Sequence, residues 1–184
     1  MADEYEEMLV GIAETMRSRF YGKYRGTVVD VSDPDNLGRI TANVPEILHE
    51  ETSPWALPAV PFAGPSHGLV LIPEVGDGVW IEFEGGDPSR PIWTGGWWAK
   101  NELPKPGATD VRVLVTSIGH QLVFDDKNKE IKLVHSGGAE LKMTDSDVSV
   151  KIGNTEVTMT SSDLTLKVGS SAQLKMGASG TEIS

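Results

Sequence analysis

Residues that could do chemistry are few in this 184-residue chain, and their spacing defeats most of the sites they suggest. Asp33-Pro34-Asp35-Asn36-Leu37-Gly38 puts acids at the first and third places of a loop and glycine at the sixth, as a calcium loop does. Leu37 and Val44 then fall at the fifth and twelfth places, where oxygen ligands are required, so the segment reads as an Asx-capped turn. The four histidines, His49, His67, His120 and His135, are too far apart in sequence to form a ligand set by spacing. His49-Glu50 begins like a zinc-protease motif, but Ser53 stands where the second histidine belongs. There is no His-x-His pair and no cysteine, which leaves only a ring of three equal histidines on a symmetry axis as an open metal arrangement. Among the carboxylates, Glu46, Glu50 and Glu51 lie in a proline-flanked loop, and Glu82 and Glu84 share one face of a strand, which suits solvated surface better than an opposed acid pair. No Gly-x-Ser-x-Gly elbow or phosphate loop occurs. The expectation is a chain with no catalytic residue, no cofactor and no metal.

A net charge of −11 and a pI near 4.7 argue against a nucleic-acid partner, which needs clustered Lys and Arg. No run of about 20 apolar residues is present, and the acidic first residues do not fit a secretory leader. A cytoplasmic origin without a signal peptide is therefore expected.

The elements follow in order. Residues 1–22 hold a short amphipathic helix, with Tyr5, Met8, Leu9, Ile12 and Met16 at helical spacing, acids in the first turn, and Arg17 and Arg19 in the last. Its apolar stripe is expected to pack on the next domain or on a neighbouring chain. Residues 23–100 change to short strands broken by Gly and Pro. Tyr24–Val31, Arg39–Val44, Trp55–Val60, Leu69–Ile72, Val79–Phe83 and Pro91–Thr94 predict a small barrel of the OB type or a similar sandwich, with Trp55, Trp80 and Trp93 in its core or seam. Residues 101–110, with two prolines and a glycine, read as a linker.

Residues 111–184 become a strict repeat after Gly138. Leu141–Glu156 and Val157–Ala172 match as a sixteen-residue unit, and each unit divides into two octads of strand plus turn. Apolar residues alternate with polar ones: Leu141, Met143; Val148, Val150, Ile152; Val157, Met159; Leu164, Leu166, Val168; Leu174, Met176. Period two marks half-buried strands, and Gly153, Gly169 and Gly177 close their corners. Two or three apolar side chains per octad, each worth about 1.5–3 kcal/mol when fully buried, stand against roughly 1–2 kcal/mol of backbone entropy per ordered residue. One ribbon does not hold itself up, so copies of itself must cover it. The inference is a homotrimeric, intertwined β-helix or prism whose core is those twelve residues; a monomeric β-solenoid is the alternative. The fold class is thus all-β with one short N-terminal helix.

The barrel motifs carry a resemblance. Tyr24-Arg25-Gly26-Thr27-Val28-Val29-Asp30, Asp33-Pro34, Gly38-Arg39-Ile40, Trp55-Ala56, Pro61 with Ala63-Gly64, Pro73-Glu74-Val75-Gly76-Asp77 and Phe83-Glu84-Gly85-Gly86-Asp87-Pro88 resemble the OB domain of central spikes in contractile injection machines. These are phage baseplate assembly protein V and the valine-glycine-repeat spikes of type VI secretion. The octads look like the triple-stranded β-helix that follows this domain in the same family. The resemblance implies a structural, trimeric needle in a phage baseplate or injection particle, held by a separate hub protein and piercing a cell envelope. It also implies docking of a PAAR-repeat tip protein at the blunt end, Thr181, Glu182, Ile183 and Ser184. A cell-wall hydrolase, an OB-fold nucleic-acid binder and a trimeric adhesin stalk are the other functions weighed; the stalk would ordinarily bring an export signal.

Overall fold

The computed structural model describes residues 2–170 and 172–184 and divides into two compact units, Met1–Asn101 and Glu102–Ser184. The first unit begins with α1 (Ala2–Arg17), whose described apolar side chains stand in solvent and do not pack on the barrel of their own chain. The side chains of Asp3, Glu4 and Arg17, used in the dipole reading, lie outside the description, as do Met1 and Ser171. No helix among the described residues is long and apolar enough to cross a membrane.

The barrel follows. Its strands are β1 (Tyr24–Asp30), β2 (Thr41–Asn43), β3 (Leu57–Pro58), then, after a small hairpin of β4 (Ala63–Gly64) and β5 (His67–Gly68), β6 (Gly78–Phe83) and β7 (Pro91–Gly96). The sheet runs β2-β1-β6-β7-β3, with β3 parallel to β7 and the other pairs antiparallel. Reciprocal backbone bonds between Ile40 and Ala56, Ile40 N–H to Ala56 O at 3.2 Å and Ala56 N–H to Ile40 O at 2.7 Å, join the two outer strands and close the ring. Closure removes both sheet edges from solvent. Alternation along β6 turns Val79, Ile81 and Phe83 inward, where they meet Val28, Ile40, Ala42, Val44, Ala56 and Trp93. Gly26 lets β1 approach closely: a Cβ there would lie 3.1 Å from Ile81 and 3.3 Å from the Asn43 carbonyl. Phe20 and Tyr24 meet edge to face and extend the core through tilted ring contacts with Phe83.

Three local readings change. Leu69–Ile72 is not a strand: four consecutive apolar residues give no inner and outer face, Pro73 follows, and all four stay exposed. Pro45–Leu48 forms a one-turn helix, α2, because proline suits the first helical position, and Ile47 and Leu48 then cap the core. Of the three tryptophans only Trp93 is buried, donating from Nε1 to the Gly38 carbonyl at 3.1 Å. Trp80 and Trp55 instead support Arg25 and Arg39 on their ring faces.

The calcium-like loop is filled by the chain's own cation. Asp33 accepts from the backbone N–H groups of Asp35, Leu37 and Arg39 and from the Arg39 guanidinium at 2.6 and 3.0 Å, while Arg39 also reaches Asp35 at 2.5 Å. The Arg39 guanidinium, followed by the backbone donors, holds the Asp33 carboxyl far below its ordinary value of 3.8. A depressed carboxyl contributes stability that is full above the ordinary value and is lost as pH falls below it toward the folded value. Thermal melts should therefore fall on acidification below about pH 4 in the native chain, and fall less in Asp33→Asn, which starts lower at neutral pH. Ile81→Ala should cost the barrel about 2–5 kcal/mol in urea unfolding.

Candidate functional site

The second unit is one antiparallel meander of nine strands. They are β8 (Val111–Val115), β9 (Gln121–Asp125), β10 (Glu130–Val134), β11 (Glu140–Met143), β12 (Asp147–Ile152), β13 (Thr155–Thr160), β14 (Asp163–Val168), β15 (Ala172–Gly177) and β16 (Gly180–Ile183), each paired with the next. The octads differ in one respect from strands that wind around a common axis. Turns such as Gly153-Asn154 return the chain antiparallel to its own last strand, so the backbone ladders among the described residues are satisfied within one chain. What is left unsatisfied is a face.

Because residues directly opposite across a pair share a face, the register sorts the side chains. Leu141, Val150, Val157, Leu166, Leu174 and Ile183 form one continuous row. Met143, Val148, Met159, Leu164 and Met176 form a second, ending at Thr181. Ile152 and Val168 sit in a third with Thr155 and Ala172. All twelve residues expected in a trimer core therefore share one side of the sheet. Val150, Ile152, Met159 and Val168 leave 43 to 65 % of their surface in solvent.

The strip is longer than the octads indicate. Leu133 opposes both Leu141 and Leu122, Leu122 opposes Leu114, and Ile131 opposes Met143 and Phe124. These five residues precede the strict repeat at Gly138, yet the same alternation was present in them. The opposite side is polar in the octad strands, although before the strict repeat it carries Val113, Val123 and Val134, and Val123 and Ser149 on it are buried. Glu140, Lys151, Glu156, Lys167 and Gln173 face one another in turn, opposite charges alternating across the first four strands.

Repetition at sixteen residues repeats the turns as well. Thr144 Oγ1 accepts from the N–H groups of Ser146 and Asp147 at 3.2 and 3.1 Å, and Thr160 Oγ1 accepts from Ser162 and Asp163 at the same two distances. At the other ends Gly153 and Gly169 take φ of 56° and 66°. Equal turns fix equal register, which is why the apolar rows do not slip.

At the C-terminus, β16 is an edge strand held to β15, with Ser184 and Gln173 exchanging backbone bonds of 2.7 and 2.9 Å. Thr181 and Ile183 lie on the apolar side and Glu182 opposite Lys175 on the polar side; Ile183 is 85 % exposed.

Spacing alone missed one pairing. His120 and His135 end neighbouring strands, and their ring centroids are 4.5 Å apart. Each Nδ1 accepts a backbone N–H, from Ser136 at 3.1 Å and from Gly137 at 2.9 Å, so those lone pairs fasten turns. Among the described residues no group of three or more His, Asp or Glu could hold a metal. Glu82 and Glu84 do not form an acid pair: each is bound to its own cation, Lys23 and Arg90, at 2.5 Å.

A closed five-stranded barrel with this topology is an OB domain. Residues 24–98 match the family described as the type VI secretion system/phage-baseplate injector OB domain. Over 65 residues, 33 % of this chain, the sequence is 38 % identical to the type VI secretion system spike protein VgrG3 of Vibrio cholerae serotype O1 (El Tor Inaba). Over 74 residues, 38 % of this chain, it is 32 % identical to the actin cross-linking toxin VgrG1 of Vibrio cholerae serotype O1 (Classical Ogawa). The matched segments span only 6 % and 7 % of those two relatives.

Valine at Gly153 and Gly169 should cost about 1–2 kcal/mol at each turn through the left-handed backbone. Urea unfolding should show that loss in the C-terminal unit while the barrel transition keeps its midpoint.

Proposed function

We propose that this chain is a structural, non-enzymatic spike of a contractile injection machine, assembled as a homotrimer through the apolar face of its C-terminal sheet. In this reading the OB barrel attaches to a baseplate hub protein, the sheets of three copies form a piercing needle, and Thr181–Ser184 receives a PAAR-repeat tip protein. It works in a phage tail or an injection particle, meeting the target envelope only when the machine fires.

The observation that carries the reading is the exposed apolar face of the octad strands in a chain whose barrel matches the injector OB domain. Soluble monomers rarely expose contiguous apolar patches beyond a few hundred Å². Three such faces turned inward around a three-fold axis would bury each other and leave the charged rows in water. The ladders within each chain would then stiffen a body that has to transmit force along its length. Net charge supports a role without nucleic acid, since −11 repels phosphate.

Leu166→Glu tests the assembly. An unpaired carboxylate inside the shared core should cost roughly 3–5 kcal/mol per chain, so light scattering should show a single 19.8 kDa chain or aggregates rather than three times that mass. Thr158→Glu, on the polar side, should keep the native mass. Particles carrying Leu166→Glu should lack the spike and fail to inject; retention of both mass and injection by that variant would refute the proposed core.

A further inference from the structure

The N-terminal helix presents a second seam. Tyr5, Leu9, Ile12 and Met16 recur at spacings of four, three and four, which are the d, a, d and a positions of a heptad. They stand between 48 and 73 % in solvent. A helix of 16 residues is marginal alone in water, so its stripe needs a cover.

The sequence on the seam indicates which cover. Leu9 at a followed by Ile12 at d favours more than two strands, in contrast to the dimer preference of β-branched a with Leu at d. In a parallel, in-register bundle position 8 of one helix faces position 13 of the next, here Met8 against Ala13, so no like charges meet across that flank. Glu7 and Glu14 fall at f, the position farthest from the seam. Acids placed there remain hydrated when copies associate.

We propose that α1 of each chain pairs with α1 of its two sister chains as a short parallel three-helix coiled coil, through Tyr5, Leu9, Ile12 and Met16. This rests on the trimer proposed above: two heptads are too few to associate at ordinary concentrations, but tethering to a trimer raises their effective concentration. The helix bundle thereby sets the three barrels in one register along the chain.

The chain has no cysteine, which makes single-cysteine cross-linking of the full-length protein a clean test. Ile12→Cys (d), Leu9→Cys (a) and Glu14→Cys (f) are oxidised with diamide and run on non-reducing gels, with light scattering on each sample. Both seam variants should form linked pairs at least roughly tenfold faster than Glu14→Cys, because only seam positions are held together by the bundle. A threefold mass with equally slow linkage at all three positions overturns the helix pairing and leaves the C-terminal face untouched. A single-chain mass in all three variants overturns both.

Discussion

One constraint governs the C-terminal half: an apolar row that the backbone cannot hide. Antiparallel pairing satisfies the ladders of β8 to β16 within the chain, and the period-two pattern then sends Leu141, Val150, Val157, Leu166 and Leu174 to the same side. Hydrogen bonding and hydrophobic burial are thus separated. The first is met within one chain except along the outer edges of β8 and β16, and the second requires something to cover the face. Turn chemistry enforces this separation, since the repeated threonine-capped corners and left-handed glycines hold every strand in one register. A one-residue slip would scatter the apolar residues to both sides and remove the reason to associate.

The barrel solves the opposite problem. It closes its own ring through Ile40 and Ala56 and buries an apolar core of its own, although Phe62, Leu69–Ile72 and Val75 in the intervening loop stay exposed. Its loops are fixed by polar contacts of the chain with itself. Arg39 sits between Asp33, Asp35 and the ring of Trp55, and Arg19 reaches Asp87 at 3.2 Å where the strand before β7 turns. The barrel thus closes on itself, whereas the octad strands leave apolar rows in solvent.

Much of this was legible in the amino-acid sequence, for a physical reason. Alternation, glycine corners and a sixteen-residue repeat are local signals, and register follows from them almost without tertiary information; the twelve apolar residues consequently fall on one face. The antiparallel return of each strand was harder to read, because a short glycine turn can equally step a chain onward in a coil. Leu69–Ile72 failed as a strand because β-propensity without alternation names no partner. His120 and His135 lie 15 positions apart, and only the β9–β10 pairing brings them together. The Asp33 loop is legible as a turn, but its neutralising group, Arg39, is a contact across six positions that spacing rules for calcium do not consider.

Burial of the apolar face can be measured at the residues themselves. Met143, Met159 and Met176 lie on it, and in a single chain they are 38 to 50 % exposed. Peroxide footprinting read by mass spectrometry reports the oxidation rate of each against the same protein unfolded in urea. Burial between sister chains predicts strong protection of all three methionines in the native protein. Oxidation of Met143, Met159 and Met176 as fast in the native protein as in urea would contradict it.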